Sequence, residues 1–153
     1  EVKFKSNKGV TKKTRISVPF KEKDLNKKNI KFLQEHTPYS LKDFKITIKN
    51  NFDRITLVNF QTKERVTIDL NLKFSSDNLN KELENICIIE VKREKGNRKS
   101  EILSTLKLKR IRPTRFSKYT IGSCILNPNL KYNNFKRKLL FINKISKNGI
   151  VWN

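Results

Sequence analysis

Five stretches of this chain alternate apolar and polar residues with a period of two, and each puts charge on its polar side. Residues 1–5 set Glu1, Lys3 and Lys5 against Val2 and Phe4. Residues 12–18 set Lys13, Arg15 and Ser17 against Thr14, Ile16 and Val18. Residues 52–58 set Arg54 and Thr56 against Ile55 and Leu57. Residues 64–74, the cleanest run, set Arg65, Thr67 and Asp69 against Val66, Ile68 and Leu70. Residues 86–93 set Ile88, Glu90 and Lys92 against Cys87, Ile89 and Val91. A period of two is the signature of a strand with unlike faces. Half-buried strands commonly alternate apolar residues with neutral or mixed polar ones. Here Glu1, Lys3, Lys13, Arg15, Arg54, Arg65, Asp69, Glu90 and Lys92 form a consistently charged set, so the sheet has one charged face.

The remaining segments read as turns and helices. Asn7-Lys8-Gly9 joins the first two strands into a hairpin that ends at Pro19. Residues 24–36 read as a helix through Leu25, Ile30 and Leu33, with Asp24 as its cap and His36 at its end without a role. Residues 44–49 are β-rich. A basic helix is predicted from about 98 to 109, with Ile102, Leu103 and Leu106 on its buried side, and Pro113 stops it. Arg115 to Tyr119 is neither helical nor strand-like, and an apolar stretch follows to Leu126. Asn127-Pro128 opens a last basic helix, about 129–145, striped by Tyr132, Phe135, Leu139 and Ile142. With no internal repeat and no low-complexity linker, residues 1–153 read as one α+β domain.

Composition narrows the partners. Lys and Arg number 36 against 14 Asp and Glu, giving a formal net charge of +22. A field of that sign favours polyanions: nucleic acid, polyphosphate, nucleotides or an anionic membrane. AT-rich coding accounts for part of the lysine. Apolar residues make up only 35% of the chain, which fits an interior partly given to polar groups. Cys87 and Cys124 lack metal-ligand spacing and read as buried or half-buried thiols in a reducing, cytoplasmic setting. No apolar run approaches a membrane span and nothing resembles a signal peptide. The chain contains no Met and opens directly on a strand pattern, so residues are expected to have been lost upstream.

Two architectures satisfy the charged faces. An open sheet packs helices on its apolar side and shows charge to water. Alternatively, the sheet curls into a barrel with the charges inside and helices outside. A lumen of like charges needs anions to fill it, and guanidinium groups grip phosphate oxygens bidentately. Pattern alone ranks the open sheet first. Asp69 and Glu90 are acids within a basic set. Salt bridging is their ordinary role, and holding Mg²⁺ or Mn²⁺ beside phosphate is the sharper one. Arg115 and Lys118 read alone as surface loop cations.

The stretches EVKFKSNKGVTKKTRISVPF, NFDRITLVNFQTKERVTIDLNLKF, IIEVK, PTRFSKYTIG and LNPNLKYNNFKRKLL change that ranking. In their order and spacing, from residue 1 to about 145, the chain resembles the VTC domain, the polyphosphate polymerase branch of the triphosphate tunnel metalloenzymes, with a CYTH-like fold. The resemblance implies an antiparallel β-tunnel with a basic lumen and helices packed outside. It implies transfer of the γ-phosphate of ATP to a growing polyphosphate chain with Mn²⁺ or Mg²⁺. By the same resemblance Arg54, Arg65 and Lys118 are catalytic, Lys3, Lys13, Arg15, Lys92 and Arg115 bind phosphate, and Glu90 binds the metal. The partners implied are ATP, polyphosphate or inorganic triphosphate. The family carries further basic strands upstream of EVKFK. This chain is therefore expected to be N-terminally incomplete, with a separate N-terminal segment completing the tunnel. Three alternatives stand beside this one: a basic nucleic-acid-binding module, a triphosphate hydrolase of the same fold, and a tunnel that only senses polyphosphate or inositol phosphates.

Overall fold

The first two alternating segments pair as predicted in the computed structural model, which describes residues 1–8, 10–19, 25–77, 79–94 and 100–146. Strands β1 (Val2–Lys5) and β2 (Thr11–Thr14) form an antiparallel hairpin with Lys3 opposite Lys13. Residues directly opposite in an antiparallel pair share a face, so the hairpin has a basic side. β2 is shorter than the 12–18 alternation, and Arg15 lies just beyond it. Helix α1 (Lys27–His36) follows. The expected cap, Asp24, lies outside the described residues. The cap is Asn26, whose Oδ1 accepts a hydrogen bond from Asn29 N at 2.8 Å. Of the expected stripe Ile30 and Leu33 are half-buried, while Leu25 is exposed and Phe32 is the buried apolar residue. Phe32 stacks on His36 with ring centroids 4.5 Å apart, and His36 Nδ1 lies 2.9 Å from the Phe32 carbonyl oxygen. These elements belong to one compact unit, Glu1–Ile46, and the rest of the chain forms a second, Thr47–Asn153.

The second unit is built on strand pairing. Strand β3 (Lys49–Asn59) starts later than the β-rich run 44–49, because a strand exists only where a neighbour supplies its ladder and the last available partner is Ser75, opposite Lys49. β3 pairs along its length with β4 (Glu64–Ser75). β4 is the centre of a four-stranded sheet. Its other edge is shared by β5 (Asn80–Leu83), which sequence reasoning missed, and β6 (Ile88–Lys92). β6 pairs with the first half of β4, and β5 with the second. Among the described residues neither this sheet nor the two-stranded hairpin closes into a barrel.

A bulge divides β4. Between the pairs Asp53–Leu70 and Asn51–Lys73, β3 advances two residues while β4 advances three. The extra residue is accommodated at Asn71, which takes a left-handed φ of 52° and donates from Nδ2 to Asp53 Oδ2 at 2.7 Å. Asn tolerates that conformation better than most residues. The odd residue reverses the side on which later residues fall. Phe74 sits opposite Asn50, and so shares a face with Phe52 and Arg54.

Three helices complete the unit: α2 (Glu101–Leu108), α3 (Lys118–Leu126) and α4 (Lys136–Ile145). α2 keeps Ile102, Leu103 and Leu106 half-buried, as predicted. Ser100 caps its start. Its end closes with Arg110 at φ 57°, where Ile111 N bonds Leu106 O and Arg110 N bonds Lys107 O. Residues 115–117 are neither helix nor strand, as expected, but Lys118 and Tyr119 join the apolar stretch in helix α3: Ser117 Oγ accepts from Thr120 N and caps it, a polar start that the apolar run after it obscured. Asn127-Pro128 does not open the last helix. Asn127 ends α3, and α4 begins only after a 3₁₀ turn at Asn133–Phe135.

The core joins Leu72, Phe74 and Leu83 to Ile121, Cys124, Ile125 and Leu126 of α3 and to Leu139 and Ile142 of α4. A Cβ placed on Gly122 would fall 2.6 Å from Phe74 Cδ1, so α3 lies directly on that ring. α3 thus packs on the Arg54 side of the sheet, correcting the expectation that helices cover the apolar side. On that other side Ile55 and Leu57 remain about half exposed. The bulge is the reason: it carries the apolar residues of the second half of β4 across, and the helix follows them. Cys124 is buried in this core. Cys87 is exposed, where a buried or half-buried thiol was expected. Burial pushes the Cys124 thiol above the ordinary range, and partial desolvation of its sulfur, reinforced by the negative charge of Asp69, does the same for Cys87.

Candidate functional site

Register assembles the charged face of the second unit. Arg54 lies opposite Asp69, and Asp69 opposite Ile88. Thr56 lies opposite Thr67, and Thr67 opposite Glu90. Val58 lies opposite Arg65, and Arg65 opposite Lys92. These three rows share one face, successive rows being about 7 Å apart at two residues of strand rise. Four of the predicted residues, Arg54, Arg65, Glu90 and Lys92, are therefore brought together by pairing alone.

Lys118 joins them from the first turn of α3. Its Nζ donates to Asp69 Oδ2. Arg54 grips the same carboxylate with two bonds, Nε to Oδ1 at 2.6 Å and Nη2 to Oδ2 at 2.8 Å. Such bidentate, charge-assisted pairs are among the stronger hydrogen bonds and fix orientation. The Arg54 hydrogen bonds, opposed by desolvation and reinforced by Lys118, hold the Asp69 carboxyl below the ordinary carboxylate range. The Asp69 side chain is 2% exposed. Phe52 supports both cations, with the Arg54 guanidinium carbon 4.9 Å and Lys118 Nζ 4.4 Å from its ring centroid. Sequence reading treated Asp69 as a salt-bridged acid, which it is, and did not single out Phe52. The signal was present: Phe52 stands two residues before Arg54 and so on the same side of the strand.

Farther along the face the charges are less committed. Glu90 and Lys92 form an exposed ion pair at 3.1 Å, a contact worth little in water. Arg65 has no partner among the described residues and stands opposite Lys92. Like charges directly opposite one another destabilise a sheet, so this end of the face gains from an anion. Thr67 is buried, and its Oγ1 has no partner among the described residues.

Among the described residues no group of three His, Cys, Asp or Glu side chains could hold a metal. Asp69 is occupied by its two cations. What the face offers a hard cation is the exposed carboxylate of Glu90, which stands in its ion pair with Lys92. Mg²⁺ and Mn²⁺ are often held by one or two protein carboxylates with phosphate and water completing the shell.

Arg115 is placed differently from Lys118. It lines a shallow cleft of about 230 Å³ with Phe116, Ser117, Thr120, Phe135 and Lys138. Its carbonyl oxygen accepts from Lys138 Nζ. Lys3, Lys13 and Arg15 belong to the hairpin of the first unit. There Glu1 accepts from Lys3 Nζ at 2.7 Å and from Arg15 Nε, and this pairing, Lys3 first, holds its carboxyl below the usual range.

No helix among the described residues is long and apolar enough to cross a membrane. No curated protein and no solved structure matches the chain. A family model, the VTC domain, matches residues 1–127, spanning the hairpin, the charged sheet face and α3. The chain therefore belongs to the VTC domain family, whose function is polyphosphate-related.

Proposed function

We propose that the charged sheet face binds a chain of phosphates, as polyphosphate, inorganic triphosphate or ATP. Within a complete domain of this family, it would line a β-tunnel in which the γ-phosphate of ATP passes to a growing polyphosphate chain. The observation that carries this reading is the gathering of Arg54, Arg65, Lys92 and Lys118 on one face with Glu90. Successive rows about 7 Å apart suit an extended polyanion touched at several points. Arg54 and Lys118, fixed by Asp69 and Phe52, present guanidinium and ammonium groups in a set geometry. Arg65 and Lys92 supply uncommitted charge. Lys3, Lys13, Arg15 and Arg115 are proposed as further phosphate contacts.

Phosphoryl transfer asks little covalent work of a protein; alignment and neutralisation of the equatorial oxygens dominate. The face supplies both, and a terminal phosphate is already an anionic nucleophile, so no general base is assigned. Glu90 would hold a divalent cation in exchange for its exposed pair with Lys92. Such an ion supplies charge neutralisation at phosphate oxygens when bound.

Calorimetric titration of tripolyphosphate at physiological salt, with and without Mn²⁺ and beside a matched nucleic acid, tests the reading. Saturable binding that tightens with Mn²⁺ is expected. Arg65→Ala should weaken it about tenfold to a hundredfold, the worth of a hydrogen bond to a charged group. Tight nucleic-acid binding with weak, salt-sensitive tripolyphosphate binding would replace the phosphate site with a general basic footprint.

A further inference from the structure

The outward side of α4 belongs neither to the core nor to the charged sheet face, and it lies beyond the residues matched by the family model. Leu139 and Ile142 turn inward. At helical spacing the opposite side carries Lys136, Arg137, Leu140, Phe141, Lys144 and Ile145. Leu140, Phe141 and Ile145 are 54%, 55% and 44% exposed. Large apolar side chains adjacent to one another at that exposure mark an interaction surface more often than a solvated one.

The charge around them is one-sided. Every one of the 14 acids in the chain lies at or before Glu101. From residue 102 to the end there are 12 Lys and Arg and no Asp or Glu. We infer that this side of α4 is a docking surface for an anionic lipid bilayer, with Leu140, Phe141 and Ile145 entering the interface and Lys136, Arg137 and Lys144 meeting the headgroups. A short helix with apolar residues outward and cations around them fits a flat interface that is apolar below and negative above. A second copy of the chain fits poorly, because a two-fold contact would set this acid-free surface against itself. Nucleic acid would satisfy the cations and leave the three apolar side chains in water.

The inference is independent of the phosphate site, and its test keeps them apart. Co-sedimentation of the full chain with neutral phosphatidylcholine vesicles, and with vesicles also containing phosphatidylserine, is the measurement. Binding is expected only to the anionic vesicles, weakening as salt rises. Leu140→Ser with Phe141→Ser should weaken it about tenfold. Lys136→Glu with Arg137→Glu should do at least as much, each cation near an anionic surface being worth about fivefold. Circular dichroism should stay unchanged in both variants, since the substituted side chains are exposed, and tripolyphosphate affinity should stay unchanged in Leu140→Ser with Phe141→Ser, which keeps every charge. Absence of vesicle binding overturns the inference. So does binding indifferent to Leu140 and Phe141, which would reduce the surface to general charge. Capture of duplex DNA with the same dependence on Lys136 and Arg137, and none on the apolar pair, would reassign it to nucleic acid.

Discussion

The two halves of β4 are one strand with opposite uses. From Glu64 to Asp69 it turns Arg65, Thr67 and Asp69 to the side shared with Arg54 and Glu90, a polar surface. From Leu72 to Ser75 it turns Leu72 and Phe74, each 1% exposed, to that same side, against α3. One face is thus a charged surface at one end and a core at the other, and the bulge at Asn71 is where it changes. The contrast suggests how a cationic surface is kept in order: Arg54 and Lys118 are held by one carboxylate and one aromatic ring, at the border of an apolar patch. Lys118, from the helix that forms that patch, reaches back to Asp69 and couples the halves.

The largest effect is expected from the apolar half. Phe74→Ala empties a fully buried site beneath α3 and should cost about 4 kcal/mol. Urea unfolding followed by circular dichroism checks it. Because Lys118 is delivered by α3, tripolyphosphate affinity should fall together with stability. A stable variant with native affinity would show that the halves are independent.

Asp69→Asn strikes the junction. It leaves Arg54 and Lys118 without their counterion, and about 3 kcal/mol is expected near neutral pH from the charge-assisted bonds lost, the solvation open to Arg54 offsetting part of the damage. The sign with pH follows from the lowered carboxyl. A group whose pKa is depressed by folding stabilises above its unfolded value of about 4 and loses that contribution as pH falls through the folded value. The gap between wild type and variant should therefore shrink in acid. A gap that stays constant down to about pH 3 would trace the loss to packing rather than charge.

How much of this was legible can be followed along the same strand. The alternation at Arg65, Thr67 and Asp69 placed the charged half correctly, because side-chain direction in a strand is a matter of parity. Carried past Leu70, the same parity would put Leu72 and Phe74 on the opposite side, since one extra residue reverses it and Asn71 in a run of strand formers gives only a faint sign of a bulge. Lys118 and Arg115 were read together from three residues of separation. A helix cap at Ser117, set by a single hydroxyl, sends one to Asp69 and the other to the cleft beside Lys138. β5 escaped notice because Asn80–Leu83 is a strand only through its pairing with Leu72–Ser75.

Asn71 offers a sharper and smaller test of the turnover point. Asn71→Val places a β-branched residue at φ 52° and should cost about 2 kcal/mol. Asn71→Gly accepts the backbone, loses only an exposed hydrogen bond to Asp53, and should stay within about 0.5 kcal/mol of wild type. Equal losses in the two variants would mean that the side-chain bond, not the conformation, fixes the bulge.

The smallest stability change is expected where the binding change is largest. Arg65 is exposed, has no partner among the described residues and faces Lys92 across the ladder. Arg65→Ala removes a like-charge contact and little else, so stability should move by no more than about 0.5 kcal/mol, in the favourable direction if at all. The Phe74→Ala and Arg65→Ala variants then form a pair: one loses affinity through the fold, the other with the fold intact. If Arg65→Ala instead destabilised the protein by as much as Asp69→Asn, the arginine would be a structural member of the sheet. The first half of β4 would then be held together by its charges, as the second half is by its apolar residues, and the case for a face kept open to an anion would fail at its central residue.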